Sequence, residues 1–540
     1  MKLQKVKPDD APVLEVADIQ GNVLSAYGKT GFPKARYLVL HVNDAVAGRL
    51  FLQQIYPKIT SAVRWPSRKH GHPGGAMQDR PNVAVNVAFT FWGLQALGVP
   101  VRILQSFPAE FIEGMAARAV ILGDDDTHGT RANNWDDVWR YEGLTDRTVH
   151  MLVTLNAQMD PATGAAVPEL ETMTQCIRDM AAKCNGVTIL GGHDKPEIQY
   201  QDLSAITVQT PDGFQPTPKE HFGFTDAISD PVFAGQFKSD IALQRAKGAG
   251  KLMPDGSWGP LATGEFLLGY PDEAQEVARG SILPSFARNG TFIAYRKLHQ
   301  NVVAFRRWLD TVAPQLDQTL GIGNKQAARD LLMAKIAGRW PDGAPLALYP
   351  TYALWTAARA NGGAAQEPYT LANFTYSDDP QGAKCPIAAH IRRVNPRDGM
   401  GPAPSNGTKP GKSGTALSDR RRILRRGLPY GTVDPNATEE GEHGIVMLVV
   451  CASLSRQFEF LQQQWINYGM DAQSGNDADP LAGLHGDKAK FVIPADPESG
   501  QAPFIACPLP QFVEMRGGDY FFLPSLSALR TMSIGVLDPT

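Results

Sequence analysis

ARYLVLHV, residues 35–42, runs directly into NDAVAGRLFLQQ, residues 43–54, and this junction decides the architecture. The first segment combines β-branched, aromatic and aliphatic residues between two loops, the pattern of a buried strand. The second predicts a helix over Ala45–Gln54. The same alternation follows. VAVNVAFTF (83–91) precedes a helix starting near Gly93, and TVHMLVTL (148–155) is a second strong strand before an amphipathic helix over Leu170–Cys184. Strands and helices joined by loops that suit antiparallel pairing predict an α+β sandwich. The first domain spans about residues 15–215 and ends in the Pro/Gly-rich TPDGFQPT (210–217).

The second half, 216–540, repeats this texture with larger insertions around 236–290, 357–382 and 395–417. Strands are expected at Gly290–Tyr295, Gly444–Cys451 and Asp519–Leu523, and helices at Gln300–Leu316, Gln326–Gly338 and Ser455–Trp465. Long loops of this kind are more often functional rims than core. No repeat period of about 20–50 residues stands out, which argues against a solenoid. The two halves share a style, but residue identity does not establish a duplication.

Composition narrows the function. With 43% hydrophobic and 20% charged residues in 540, the chain is far from disordered or collagen-like extremes. Lys plus Arg against Asp plus Glu gives 52 − 55 = −3, which disfavours a nucleic-acid binder held by phosphate contacts. Cysteines 176, 184, 385, 451 and 507 form no C-x-x-C pair and no covalent haem-attachment motif. Such a sparse, odd set suits reduced thiols. The opening MKLQKVKPDDAPVLEV lacks the apolar run of a secretory signal. The longest apolar run, GIVMLVVC (444–451), is far short of the roughly 20 residues that span a bilayer. A soluble cytoplasmic protein is expected, and SIGVLDPT at the end carries no clear targeting signal.

Eleven histidines are present, yet none falls in H-E-x-x-H or Cys/His zinc spacing. Hydrolase, kinase and dinucleotide motifs are also missing in the strand–helix settings they need. Three segments carry other chemistry. His390, in CPIAAHIRRVNPR (385–397), has an apolar approach on one side and cationic residues on the other. A haem pocket needs that mixture: an apolar wall, one imidazole for iron, and positive charge for the propionates. Asp226, in HFGFTDAISDP (221–231), sits among aromatics, where desolvation raises a carboxyl pKa unless a cation opposes it. Arg425 lies in ILRRGLPYG (423–431). Each also has an ordinary structural reading: a core or surface histidine, a turn or N-cap carboxylate, and an ion-paired surface arginine.

Taken together and in order, the three segments resemble those of the dye-decolorizing peroxidases. DIQGNVLSAYGK (18–29), FTFWGLQALG (89–98), NGTFIAYRKLHQ (289–300), QFEFLQQQW (457–465) and GDYFFLPSLSALR (518–530) extend the resemblance over about residues 18–535. It implies two ferredoxin-like halves of antiparallel sheet and helices in the dimeric α+β barrel superfamily, with haem in the C-terminal half. It further implies one haem b per chain and His390 as the axial iron ligand. Asp226 and Arg425 would handle hydrogen peroxide on the distal face. Gly223 would let the backbone approach the haem, with Phe224 beside it, and Ile445 and Met447 would furnish apolar distal side chains from alternate strand positions. Asp479, in DADPLAGL, is the positional match for a carboxylate that holds the histidine's other nitrogen.

The activity implied is peroxide-dependent one-electron oxidation of phenolic or dye-like donors, with no nucleic-acid or membrane partner and with room for a homodimer. Trp465, Tyr430 and Trp355 are candidates for the surface relay points that family members use, each with core packing as the plain alternative. Two rival readings stand beside it: a haem carrier or iron-handling protein with incidental peroxidase activity, and a haem-free scaffold. One departure matters. Ala227 follows Asp226 where the family pattern has glycine. If that glycine serves close packing, a methyl group narrows the pocket. If it serves positive φ, the aspartate is at risk of displacement.

Overall fold

The computed structural model describes residues 12–65, 79–124, 134–140, 143–253, 255–278, 280, 284–361, 371–400, 414–472 and 474–535. His70, His72, His128, the first 11 residues, residues 536–540 and parts of all three long insertions lie outside the described residues.

In the first half, strand β1 (Lys34–Val42) leads into helix α1 (Ala45–Ile55). Asp44 caps α1 by accepting the Ala47 N–H at 2.9 Å, the usual reward for an acidic N-cap. β2 (Val83–Phe89), β3 (Met151–Ala157), α2 (Glu169–Cys184), β4 (Val187–Ile189) and β5 (Gln201–Ser204) complete this half. The second half holds β6 (Thr291–Gln300), α3 (Val302–Leu320), α4 (Lys325–Ala337), α5 (Tyr352–Ala360), α6 (His390–Val394), β7 (Leu424–Tyr430), β8 (Gly444–Cys451), β9 (Val513–Gly517), β10 (Tyr520–Leu523) and α7 (Leu526–Ile534).

The two halves share one ten-stranded sheet with the order β7-β8-β6-β10-β2-β3-β1-β4, β9 pairing with β6 and β5 with β1. A single antiparallel pair, Phe522 with Phe89, joins them. β7 returns against β5, which curls the sheet toward a barrel. Strand alternation then divides the apolar residues between two cores. Tyr37, Val39, Ile293, Val446, Leu448, Val450 and Phe521 pack inside the curl. Leu38, Leu40, Phe292, Val449 and Phe522 pack outside it with α1, α2 and α7 residues such as Phe51, Ile177 and Leu529.

Two expectations need correction. β6 continues to Gln300, where Gln300 pairs with Val513 of β9, so α3 begins only at Val302. The backbone partner on β9 outweighs the helical pattern that begins there. The segment expected as a helix over Ser455–Trp465 is wound as π-helix at Leu454–Glu459 and Leu461–Ile466. Such wide turns occur mostly at functional sites, and Phe458, Leu461 and Ile466 of this segment line the cavity described next. No described helix is long and apolar enough to cross a membrane.

Candidate active site

The outer face of β8 forms part of a cavity of about 820 Å³, within the range of roughly 300–1,000 Å³ typical of cofactor sites. Ile445, Met447 and Val449 line it at alternate positions, while Val446, Leu448 and Val450 face the barrel interior. Strand α-carbon register continues the wall sideways: Arg425 of β7 lies opposite Val449, and Leu298 of β6 opposite Ile445.

α6 contributes His390, Ile391 and Val394 to the lining. His390 Nδ1 stands 2.9 and 3.0 Å from the two carboxylate oxygens of Asp479. Asp479 is fully buried, and its Oδ1 also accepts the backbone N–H groups of Leu481 and Ala482, each at 2.9 Å. Burial alone would raise the Asp479 pKa, but His390, Arg393 and the Ala482 N–H outweigh it and hold the group below its ordinary value. Burial likewise opposes charge on His390, and Asp479 outweighs that, so the imidazole lies above its ordinary value. With Nδ1 committed, Nε2 is the nitrogen left for the cavity. This is the arrangement by which a carboxylate fixes the tautomer of a metal-binding histidine.

Asp226 and Arg425 meet in the same cavity. Arg425 Nη1 donates to Asp226 Oδ1 at 2.8 Å, and the Ala227 N–H donates to the same oxygen at 2.5 Å. Among the described residues Oδ2 makes no hydrogen bond. The two side chains are 42% and 43% exposed, but to the cavity they line. Burial pushes the Asp226 pKa up, and the Arg425 charge, the Ala227 N–H and Lys29 together hold it below the usual carboxylate range. The opposing cation that an ionised aspartate needs in this apolar setting is therefore Arg425.

Ala227 has φ +62°, and Ser229 has φ +64°. The position thus calls for the left-handed region that favours glycine, and the strain is carried without separating Asp226 from Arg425. Gly223, at φ +99°, likewise depends on glycine for its backbone. It does not line the cavity, whereas Phe222 and Phe224 do. The loop is tied down by Asp226 N–H to Pro218 O (2.8 Å) and Thr225 N–H to Pro341 O (3.0 Å).

The cationic residues beside His390 do not face the cavity. Arg392 is consumed by Asp379 Oδ2 (3.1 Å) and Cys385 O (2.8 Å). Arg393 donates to the carbonyls of Trp465 (2.7 Å), Asp477 (2.8 Å) and Tyr468 (2.5 Å), fastening α6 to the segment that leads to Asp479. Cavity cations come instead from Arg339, Arg397 and Arg422. Arg339 donates to Gly343 O and Leu371 O, Arg397 to Phe374 O, and Arg422 to Gly250 O and Ala249 O. Among the described residues none of the three forms an ion pair. Burial lowers Arg339 to about 10 and Arg397 to about 9. With no ion pair of their own among the described residues, these guanidiniums can take carboxylates entering the cavity. An imidazole nitrogen, an apolar wall and unpaired arginines fit a haem with its two propionates.

The relay candidates are not on the surface. Tyr430 is 1% exposed against Lys297, and Trp355 and Trp465 are each 3% exposed, their indole N–H groups donating to Asp342 (2.6 Å) and Asp471 (3.2 Å). None lines the cavity, and all three are packed in buried clusters. Sequence reasoning passed over Arg339 and Glu220. Glu220 immediately precedes the HFGF segment and lines the cavity, and that adjacency was the available signal.

The fold is an α+β barrel, and its cavity has the lining that a haem needs. The profile of the DyP dimeric alpha+beta barrel domain matches residues 18–191. A dye-decolorizing peroxidase of Auricularia auricula-judae is 27% identical, the match covering 96% of this chain and 87% of that protein. A multifunctional dye peroxidase of an Amycolatopsis species is also 27% identical, covering 95% of each. The solved structure of a dye-decolorizing peroxidase in complex with 2,6-dimethoxyphenol superposes with a TM-score of 0.69 at 25% identity, covering 96% of this chain and all of that one. Over nearly its whole length the chain is similar to dye-decolorizing peroxidases, and residues 18–191 match the barrel domain of that family.

Proposed function

We propose that the chain reduces hydrogen peroxide and oxidises phenolic or dye-like aromatic donors in one-electron steps, using one haem b per chain with His390 as its axial ligand. The observation that carries this reading is the convergence of two pairs, His390–Asp479 and Asp226–Arg425, on one cavity. A carrier needs only the first pair. The relative crystallised with 2,6-dimethoxyphenol supports a small phenol as donor.

Bound haem supplies the iron centre through which electrons pass between donor and peroxide. His390 would hold that centre through Nε2, with Asp479 keeping the ring oriented and electron-rich through Nδ1. Arg339 and Arg397 would hold the propionates. Asp226 Oδ2, free of other bonds, takes the proton from one peroxide oxygen and returns it to the other as that oxygen leaves as water. The Arg425 guanidinium balances the negative charge on the departing oxygen. Overall, peroxide takes up two electrons and two protons to give two waters, and two phenols each give up one electron and one proton. Ile445, Met447 and Val449 keep this side of the cavity apolar.

The test is the visible spectrum of haem-reconstituted protein before and after one equivalent of peroxide, then after 2,6-dimethoxyphenol. A change on peroxide that the phenol reverses is expected, and a spectrum indifferent to peroxide refutes the reading. His390→Ala should lose axial ligation and most haem retention; full occupancy with an unaltered spectrum would overturn the ligand assignment. The five free cysteines suit a cytoplasmic setting, which fractionation tests, and sedimentation tests the expected homodimer.

A further inference from the structure

Glu220 stands six residues before Asp226 on the same loop and lines the same cavity, yet its surroundings are the opposite. Its Oε1 accepts the Phe224 N–H at 2.7 Å, and its Oε2 accepts the Phe222 N–H at 2.9 Å and the side-chain amide of Gln300. The residue is 9% exposed, and among the described residues no cation pairs with it. The neighbouring Lys219 ammonium turns to the carbonyls of Gly223 and Pro341. Among the described charged groups that line the cavity, Asp226 on its own loop acts on Glu220 electrostatically, and the others include Glu514 from β9, His485 and Asp487.

We infer that Glu220 is a second proton-carrying carboxyl of this cavity, distinct in role from Asp226 and resting on the peroxidase reading above. Two carboxyls in one site take acid and base roles when their environments drive their pKa values apart. Burial raises Glu220 to about 7, against the hydrogen bonds from Gln300, Phe222 and Phe224, and the Asp226 charge adds to the rise. Asp226 moves the other way. In mildly acidic solution Asp226 is therefore ionised while Glu220 holds a proton. Gln300 suits either state, since a primary amide presents N–H to a carboxylate or C=O to a carboxylic acid.

The protons balance. Asp226 shuttles a proton already on the peroxide from one oxygen to the other, so the first water needs none from outside. The second water needs two, and Glu220 delivers one of them. It regains its proton from those that two phenols release on giving up one electron each.

The experiment is an infrared pH titration of the purified protein, following the carboxylic acid C=O stretch, with Glu220→Gln and Gln300→Leu beside it. The same variants, loaded with haem, are read for the pH profile of peroxide consumption. Burial pushes Glu220 and Asp419 alike to about 7, so the wild type should lose acid intensity near 7 from both. Glu220→Gln should lack the share that persists in Asp419→Asn, together with the corresponding limb of the profile. Gln300→Leu removes a donor to the ionised form without touching the loop, so band and limb should both move up by about one pH unit. If Glu220→Gln does not fold, the Gln300→Leu shift decides alone. Acid intensity near 7 that is undiminished in Glu220→Gln, or a band that Gln300→Leu leaves wholly unmoved, overturns the assignment of the carboxyl. A band that shifts while the profile stays fixed overturns its proton-carrying role. Wild-type protein that titrates as described yet ignores peroxide overturns the peroxidase reading and this role with it, and the intact infrared result distinguishes that case.

Discussion

Ala227→Gly should make the protein more stable, against the usual trend for alanine-to-glycine changes. Ala227 occupies φ +62°, where an L-residue with a Cβ carries about 1–2 kcal/mol of strain that glycine does not. Glycine loses about 0.4–1 kcal/mol through the greater freedom of the unfolded chain. The difference favours the variant by about 0.8 kcal/mol. The Ala227 N–H bond to Asp226 Oδ1 uses only backbone on that side, so the Asp226–Arg425 pair should survive. The assay is urea unfolding of wild type and variant, compared as a midpoint shift at constant slope. Ala227→Val is the control, since a β-branched residue at positive φ adds strain of order 1–3 kcal/mol. A Gly variant destabilised by more than about 1 kcal/mol, or a harmless Val variant, would refute the claim that backbone strain sits at this residue.

The remaining predictions concern the two pairs. Asp479→Ala leaves His390 Nδ1 without its acceptor and should weaken haem binding about 10–100-fold in a Soret titration; unchanged affinity would make the contact incidental. Arg425→Ala should slow the reaction with peroxide by about 10²–10³-fold in stopped flow while leaving haem affinity nearly intact. Because the folded pKa of Asp226 lies below its unfolded value, its stabilising contribution is present above roughly pH 3.9 and is lost as pH falls through the lower folded value. Its catalytic limb should follow the same acid boundary and vanish in Asp226→Asn; identical pH–rate profiles would exclude the proton shuttle.

Much of this molecule was legible because its strands are long and apolar. Residues 35–42, 148–155 and 444–451 read as strands from composition, and each overlaps a strand with an antiparallel partner. Asp479 was found by position alone, and the structure sets it against His390. What stayed hidden depends on direction rather than residue type. Nothing in HIRRV says that Arg392 and Arg393 turn away from the cavity to hold carbonyls, or that Arg397, a few residues on, turns toward it. Glu220 had only its adjacency to HFGF as a signal, since a glutamate before a glycine-containing loop reads as a surface turn until a cavity encloses it. Gln300 lies where a helical pattern begins, and only its partner on β9 fixes it as strand.

The division of labour along β8 has a consequence for how this protein can change. Val446, Leu448 and Val450 belong to the barrel core, Ile445 and Met447 to the cavity wall, and Val449 to both that wall and the outer core. Six consecutive residues thus spell two interleaved messages, one for holding the barrel and one for choosing what stands against the wall. Lineages, or protein engineers, can rewrite the second message letter by letter, trading bulk for reach or sulfur for hydrocarbon, while the first is left as it was.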